Sequence, residues 1–293
     1  MPTGGESAGW RVAPLPESRQ GAPMNRSAPG ANPIEITRWD DRAATVVADI
    51  LAVEEPLEIR LHGRSLAVVM RTPGNDRELA AGFLLTEGII HRREELLDLI
   101  YCGEVGTLTG NVLDGLLAPG VVVDWDRLQR HTFASSSCGL CGKASIEAIR
   151  TRCAPLINRI SPDPRILATL PDRLRAAQSG FATTGGVHAS GLFSSGGEVE
   201  VVREDVGRHN ALDKVVGWAC LGGRLPLNDR ILLVSGRVSF ELMQKALVAG
   251  ISCVAAISAP TSLAVDFARE AGQTLVGFVR GQRMNVYAGT LSN

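Results

Sequence analysis

The chain has 293 residues, of which 45% are hydrophobic, so it is long enough to bury one large core or two modest ones. Its formal net charge is −1, which gives no general attraction to nucleic acid or to an anionic membrane surface. Aromatic residues make up only 4%, which also argues against a base-stacking platform for single strands. We therefore expect no nucleic-acid or membrane partner, and any anionic ligand must be held by a local site.

The cysteine content indicates where the protein works. Six cysteines are too sparse for a disulfide scaffold in a chain of this length. The N-terminus has no apolar stretch typical of a secretory signal, and no run of about 18 apolar residues predicts a spanning helix. We therefore expect a cytoplasmic protein with reduced thiols, in which a close cysteine pair indicates metal or redox chemistry.

Two regions are predicted before the first close cysteine pair. Residues 1–33 are rich in Pro, Gly, Ser and Ala without periodicity, which predicts a disordered tail. Residues 34–130 predict a smaller α+β module that contains a helix over 76–88, with Asp76 as its cap and Gly88 as its stop. The strands of this module are predicted from alternating hydrophobicity at 45–53, 57–62 and 65–71.

Residues 131–293 predict an α/β domain. Prolines at 162, 164 and 171 predict a linker before a helix that starts at Arg173. Beyond it, short apolar strands alternate with amphipathic helices, which predicts a largely parallel sheet between helices. The strands are predicted at 198–202, 230–235, 253–258 and 274–279, and the helices at 210–219, 239–249 and 263–272.

The sharpest feature is the pair Cys138 and Cys141, which lies in a small, polar, Gly-rich segment. A helix is predicted at 143–150, and its N-terminal amides together with Lys143 would lower the pKa of a nearby thiol. A thiolate stabilised in this way is a good sulfur nucleophile at neutral pH. The sequence therefore favours a reactive, catalytic cysteine pair.

Three other interpretations of this pair remain open from the residues alone. A structural zinc site needs four ligands, and Cys153, His131 and His188 could complete one, although no second cysteine pair has matching spacing. A thioredoxin-like redox pair normally follows a strand, whereas this pair follows a polar segment. The pair could also be buried and inert.

Groups that can bind an anion follow several of the predicted strands. These groups are Arg208 and His209 after the first strand, Ser235, Gly236 and Arg237 after the second, residues 258–262 after the third, and Arg280 and Arg283 after the last. The carboxyl ends of parallel strands meet at one edge, so together these groups predict a site for a large anionic ligand such as a nucleotide-bearing cofactor. Asn210 is the predicted cap of the helix that begins there, and the plainer alternative is a capped helix with surface charges.

The pair His188-Ala189 is typical of zinc-dependent nucleoside deaminases, in which it opens a helix. Those enzymes need Glu two residues after the His, and a Pro-Cys-x-x-Cys segment further on. Ser190 occupies that position here, and no such segment follows. The sequence therefore argues against deaminase chemistry and against a metal centre, while it leaves a related fold open.

Seven ordered motifs between about residues 35 and 288 carry a family resemblance. They are Arg71-Thr-Pro-Gly, 78–88, Cys138-Gly-Leu-Cys-Gly, 204–214, 235–241, 258–264 and 277–280. These motifs resemble the formate dehydrogenase accessory sulfurtransferase family, usually called FdhD. The resemblance implies a cytidine-deaminase-like three-layer α/β sandwich behind the smaller N-terminal module.

The resemblance also implies a function. Cys138 would accept sulfur from a cysteine desulfurase as a persulfide and pass it to bis-molybdopterin guanine dinucleotide, the form of the molybdenum cofactor that formate dehydrogenase requires. The cofactor would be bound as a substrate by the arginines named above, and the protein would hold no metal of its own and act as a homodimer. The family's cofactor segment falls here on Phe278, Val279, Arg280, Gly281, Gln282 and Arg283. The alternative is a non-catalytic chaperone that only binds the molybdenum cofactor.

Overall fold

The chain folds around three β-sheets, seen in a computed structural model that describes residues 30–40, 43–103, 108–125, 156 and 159–292. The cysteine pair, His131, Cys153 and the predicted helix over 143–150 lie outside the described residues. The first sheet is an antiparallel hairpin of β1 (Ala31–Trp39) and β2 (Ala44–Ala52). Strand β1 begins within the last residues of the predicted 1–33 tail.

The second sheet forms the N-terminal module together with helix α1 (Asp76–Thr86). Its order is β4-β3-β6-β5, with β3 (Glu55–Leu61), β4 (Arg64–Arg71), β5 (Leu96–Tyr101) and β6 (Val112–Leu117). Alternate residues of β3 are fully buried, namely Leu57, Ile59 and Leu61, which is the pattern of a strand with one face on a core. The predicted α+β character of this region is confirmed.

The predicted cap of α1 is wrong. The helix is preceded by Asn75, and Asp76 is its first residue. Both carboxylate oxygens of Asp76 accept hydrogen bonds from Arg71, each at 2.9 Å, and both side chains are almost fully buried. A buried guanidinium needs such a bidentate partner, so Asp76 stabilises Arg71 rather than the helix end. Gly88 has a positive φ of 70°, so the chain turns away from the helical conformation there, two residues after the end of α1, as predicted.

The third sheet has six strands in the order β12-β11-β10-β9-β7-β8. They are β7 (His188–Ser194), β8 (Val199–Asp205), β9 (Arg230–Val234), β10 (Cys253–Ala256), β11 (Thr274–Arg280) and β12 (Arg283–Ala288). Strands β9, β10 and β11 are parallel, whereas β7, β8 and β12 pair antiparallel. The prediction of a largely parallel sheet is therefore wrong, because short turns join β7 to β8 and β11 to β12, and such turns require antiparallel neighbours.

Helices cover both faces of the six-stranded sheet. They are α2 (Pro164–Ala177), α4 (Arg208–Leu221), α5 (Phe240–Val248) and α6 (Ser262–Ala271). The short helix α3 (Ser179–Thr184) instead contacts the β1-β2 hairpin. In β9, Ile231 and Leu233 share a core cluster with α2, while Leu232 and Val234 share the other cluster with α4, α5 and α6. This alternation is the pattern of a strand buried on both faces.

The predicted proline linker is wrong at two of its prolines. Pro164 is the first residue of α2, and Pro171 lies inside that helix. The Asp163 side chain caps the helix by accepting a hydrogen bond from Arg165 N at 2.7 Å. A proline at the first helical position has no N–H that would need a partner, so Pro164 starts the helix rather than excluding it.

Helices α1 and α4 approach until their backbones are in contact. A Cβ atom at Gly82 would lie 1.8 Å from the Asp213 carbonyl oxygen, and one at Gly217 would lie 1.7 Å from the Glu78 carbonyl oxygen. One hydrophobic cluster accordingly contains side chains of the N-terminal sheet, of α1 and of α4. The N-terminal module therefore packs directly behind the helices of the six-stranded sheet.

Candidate functional site

The ends of five strands meet along one edge of the six-stranded sheet, which we call the strand-end edge: His188, 205–209, 235–237, 258–262 and 277–280. Backbone hydrogen bonds link these segments, with Ser235 N donating to Ala189 O at 3.0 Å and Phe278 N donating to Ser258 O at 3.1 Å. The groups that sequence analysis placed after successive strands therefore do lie along one edge.

At the end of β9, one of the predicted ligand-binding side chains also makes a structural hydrogen bond. Ser235 Oγ accepts a hydrogen bond from Ala189 N at 2.9 Å, which leaves its O–H available to donate to a ligand. A Cβ atom at Gly236 would lie 3.3 Å from His188 Nδ1, which is closer than ordinary van der Waals contact. Glycine at this position therefore avoids crowding the imidazole. Arg237 is exposed.

At the start of α4, the predicted cap is wrong. Gly207 occupies the cap position, and Asn210 lies within the helix. The side-chain amide nitrogen of Asn210 donates to Met70 O at 2.7 Å and to Asp205 Oδ1 at 2.9 Å. Asn210 thus joins the N-terminal module to the strand-end edge, a long-range role that a local cap pattern cannot reveal.

Asp205 is the buried centre of this connection. Its carboxylate accepts hydrogen bonds from Thr72 N at 3.1 Å and Gly207 N at 2.8 Å, and it pairs with Lys214 Nζ at 2.8 Å. Lys214 also donates to the Thr72 carbonyl at 2.9 Å. The turn that carries Arg208 is therefore fixed by Thr72, a residue that sequence analysis singled out only within a family motif.

His209 lies beside an acid that sequence analysis did not single out. Its Nε2 atom is 3.3 Å from Ser239 Oγ and 3.4 Å from Glu241 Oε2. Burial lowers the pKa of His209 to about 3, and burial raises the pKa of Glu241 to about 7. Both partners contact the same ring nitrogen, whereas a Ser-His-acid triad uses opposite nitrogens, so the arrangement is not a hydrolase triad.

Replacing Glu241 with Gln is expected to change how stability depends on pH. The raised pKa of Glu241 makes stability fall as pH rises from about 4.5 to 7, because the folded state binds more protons than the unfolded chain. The lowered pKa of His209 makes stability rise between about 3 and 6.5, so the two oppose each other. In Glu241→Gln the unfolding free energy should therefore rise more steeply between pH 4.5 and 6.5, by up to about 1.4 kcal/mol per pH unit. Denaturant unfolding at several pH values measures this, and parallel profiles for the variant and the unaltered protein would contradict it.

The predicted cofactor segment lies on β11, β12 and their connecting turn. Phe278 is part-exposed with a positive φ of 53°, which is uncommon for a residue other than glycine. Arg280 lies 5.9 Å from the centroid of the Phe278 ring. Val279 is fully buried in the core cluster that includes α2, so it offers a ligand no exposed surface. Exposed side chains complete the segment at Arg280, Gln282 and Arg283, around the exposed Gly281.

The predicted site residues fall into two groups along the edge. The strand order places the end of β8 four strand spacings from the end of β11, which carries Arg280. The Arg208 side chain follows β8 but extends towards the end of β9, because a Cβ atom at Gly236 would lie 3.7 Å from Arg208 Cδ. Neighbouring strands lie about 4.8 Å apart, so the two ends of the edge are roughly 19 Å apart. An edge of this length can accommodate an extended ligand such as a dinucleotide.

The described residues give no support to a metal centre. Among them, no three His, Cys, Asp or Glu side chains are grouped closely enough to hold a metal ion. His188 begins strand β7 and not a helix, unlike the deaminase pattern. In the same described ranges, no helix is long and apolar enough to cross a membrane.

Comparison with known proteins identifies the family. A model described as the FdhD/NarQ family matches residues 52–292. The chain belongs to the FdhD/NarQ family. It is 55% identical over 261 residues to the sulfur carrier protein FdhD of Streptomyces avermitilis, covering 87% of this chain and 93% of that protein. It is 53% identical over 247 residues to the sulfur carrier protein FdhD of Mycobacterium tuberculosis, covering 82% and 90%.

A solved structure supports the same conclusion for the fold. A crystal structure from Desulfotalea psychrophila, described as a formate dehydrogenase accessory protein, superimposes with a TM-score of 0.71 at 25% identity and covers 89% of this chain and 97% of that one. The predicted family and the mixed α/β fold are thereby confirmed. The FdhD/NarQ match begins at Ala52, the last residue of β2, and includes both Cys138 and the strand-end edge.

Proposed function

We propose that this protein is a sulfur carrier that serves the maturation of a formate dehydrogenase. In this proposal, Cys138 accepts sulfur from a cysteine desulfurase as a persulfide and passes it to bis-molybdopterin guanine dinucleotide, which is bound as a substrate. The names of the most similar relatives support the sulfur-carrier role. The description of the similar crystal structure supports the link to formate dehydrogenase.

The observation that carries the cofactor part of the proposal is a row of arginines along the strand-end edge: Arg208, Arg237, Arg280 and Arg283. Within the described part of the chain, none of their guanidinium groups forms an ion pair with a carboxylate. Unpaired guanidinium groups suit phosphate oxygens, and the edge is long enough for a nucleotide-bearing ligand. Cys138 follows Trp125 by 13 residues, and a segment of this length can span roughly 40 Å when extended. The chain is therefore long enough for the Cys138 thiol to reach this edge.

The proposed chemistry balances within the cysteine pair. The Cys138 thiolate attacks the outer sulfur of the donor's persulfide, the donor's S–S bond breaks, and the donor cysteine leaves as a thiolate. In delivery, the Cys141 thiolate attacks Cys138 Sγ, and the carried sulfur leaves with both bonding electrons as hydrosulfide for the cofactor. The resulting Cys138–Cys141 disulfide is then reduced by a dithiol reductant.

A sulfur-transfer assay tests this proposal. The full chain is incubated with a cysteine desulfurase and cysteine labelled with radioactive sulfur, and the label on the chain is measured before and after a reductant. Cys138→Ala should lose essentially all reducible label, because the acceptor sulfur is gone. Cys253→Ala is the matched control, since burial raises the pKa of the Cys253 thiol to about 12 and keeps it from accepting sulfur. Full labelling of Cys138→Ala would contradict Cys138 as the acceptor, whereas no reducible label on the unaltered chain would favour a chaperone that only binds the cofactor.

Three finer parts belong to the same proposal. A cytidine-deaminase-like sandwich is supported by the helices on both faces of the six-stranded sheet. A homodimer in the cytoplasm is inferred from the family resemblance. Sedimentation of the full chain tests the dimer, which a single species of monomer mass would contradict.

A further inference from the structure

Two buried polar atoms near the start of α4 have no partner among the described residues. They are the Ser190 hydroxyl oxygen and the Arg208 Nε atom. Ser190 is 1% exposed, and a buried hydroxyl without a hydrogen bond is uncommon in folded proteins. Each of these atoms can donate a hydrogen bond to an acceptor.

The two atoms belong to one location in the fold. Side chains alternate along a strand, so Ser190 lies on the same face of β7 as His188 and Leu192, the face that packs against α4. A Cβ atom at Gly236 would lie 3.3 Å from His188 Nδ1 and 3.7 Å from Arg208 Cδ. The backbone of Gly236 therefore lies close to both His188 and Arg208, and a methyl group there would crowd the imidazole.

The charge around His188 and Arg208 favours an anion. Arg208 contributes a guanidinium and is the first residue of α4. The cap residue Gly207 provides no side-chain hydrogen bond, so the first amides of α4 are available. The nearest acid, Asp205, is paired with Lys214 at 2.8 Å and accepts two backbone amides. Burial and the charge of Arg208 lower the pKa of His188, which leaves a neutral ring that can donate one hydrogen bond.

We propose that His188, Ser190, Arg208 and the first amides of α4 form a subsite for one tetrahedral oxyanion. Its source is a phosphate group of a nucleotide-bearing ligand or free inorganic phosphate. The first source rests on the proposed function, and the second does not. Neither His188 nor Ser190 was among the residues expected to contact the cofactor.

The variant Ser190→Ala tests the subsite without removing a structural contact. The Ser190 hydroxyl has no partner in the ligand-free protein, so its loss should leave the thermal unfolding midpoint unchanged or raise it. The affinity for the oxyanion should fall by about tenfold, because one hydrogen bond to a charged ligand is lost. Calorimetric titration of the full chain with GDP, with guanosine and with inorganic phosphate measures this effect.

Ser252→Ala is the matched control. Ser252 is equally buried, but its hydroxyl donates to Asn228 O at 2.9 Å and accepts from Ile160 N at 3.3 Å. This control should lower the unfolding midpoint and leave the affinities unchanged. A second variant, Gly236→Ala, should weaken oxyanion binding because the added methyl group would crowd the His188 imidazole.

The affinities for the three ligands distinguish the two sources of the oxyanion. A loss of GDP affinity in Ser190→Ala with no effect on guanosine supports a nucleotide phosphate, and a loss confined to inorganic phosphate supports the free anion. Equal affinities of Ser190→Ala and the unaltered chain for both anions, or no binding of either anion to the unaltered chain, would overturn the subsite. Sulfur labelling of Cys138 is measured on the same preparations, so a failed subsite is distinguished from a failed sulfur-carrier role.

Discussion

Gly217→Ala is expected to lower the free energy of unfolding by about 3 kcal/mol or more. The new Cβ atom would lie 1.7 Å from the Glu78 carbonyl oxygen and within 2.8 Å of the Gly82 nitrogen. These neighbours are backbone atoms of α1, so no side chain can rotate away, and the two helices must separate. Separation would also disturb the buried hydrogen bonds that join the N-terminal module to the strand-end edge.

Denaturant unfolding of the full chain measures the loss, with Gly196→Ala as the matched control. A Cβ atom at Gly196 would meet only the Ser194 hydroxyl at 3.7 Å, which is ordinary contact. The control should unfold within about 0.5 kcal/mol of the unaltered protein, as most surface changes do. Equal stabilities of the two variants would show that α1 and α4 are not in backbone contact.

Lys245→Met is expected to destabilise the protein by about 3–5 kcal/mol. The ammonium of Lys245 donates to Asp213 Oδ2 at 2.9 Å, to Thr86 Oγ1 at 2.9 Å and to Glu87 Oε1 at 3.1 Å. Lys245 and Asp213 are each about 3% exposed. Removing the cation leaves a buried carboxylate without its counter-charge, and burial already raises the pKa of Asp213.

Two comparisons isolate the charge effect. The double variant Lys245→Met with Asp213→Leu should recover part of the loss, because it leaves no unpaired buried charge. Arg77→Ala removes an exposed pair with Asp98, whose side chains are 53% and 49% exposed, and should cost less than about 1 kcal/mol. A double variant less stable than Lys245→Met alone would contradict this account.

The position of the strand-end edge could be predicted because it follows from local patterns. Buried apolar runs marked β9, β10 and β11, and parallel strands place their carboxyl ends together, so Ser235 and Arg280 were assigned to one edge before any contact was known. The family motifs added Cys138 as the sulfur acceptor. That assignment remains a proposal, because Cys138 lies outside the described residues.

The two wrong helix caps share one physical cause. Asp76 and Asn210 were expected to cap helices, since their short polar side chains favour that position. Both instead bind partners brought close only by tertiary packing, as Asp76 does with Arg71 and Asn210 with Met70 O. Glu241 was not singled out for the same reason, because its contact with His209 joins α5 to α4.

The most direct test of the central claim is peptide mass spectrometry after incubation of the full chain with a cysteine desulfurase and cysteine. The sulfur-carrier account predicts one additional sulfur on the peptide that contains Cys138, removed by reductant and absent in Cys138→Ala. It also predicts that Cys141→Ala keeps this sulfur but no longer releases it as hydrosulfide. A persulfide on any other cysteine, with the Cys138 peptide unmodified, would contradict the account.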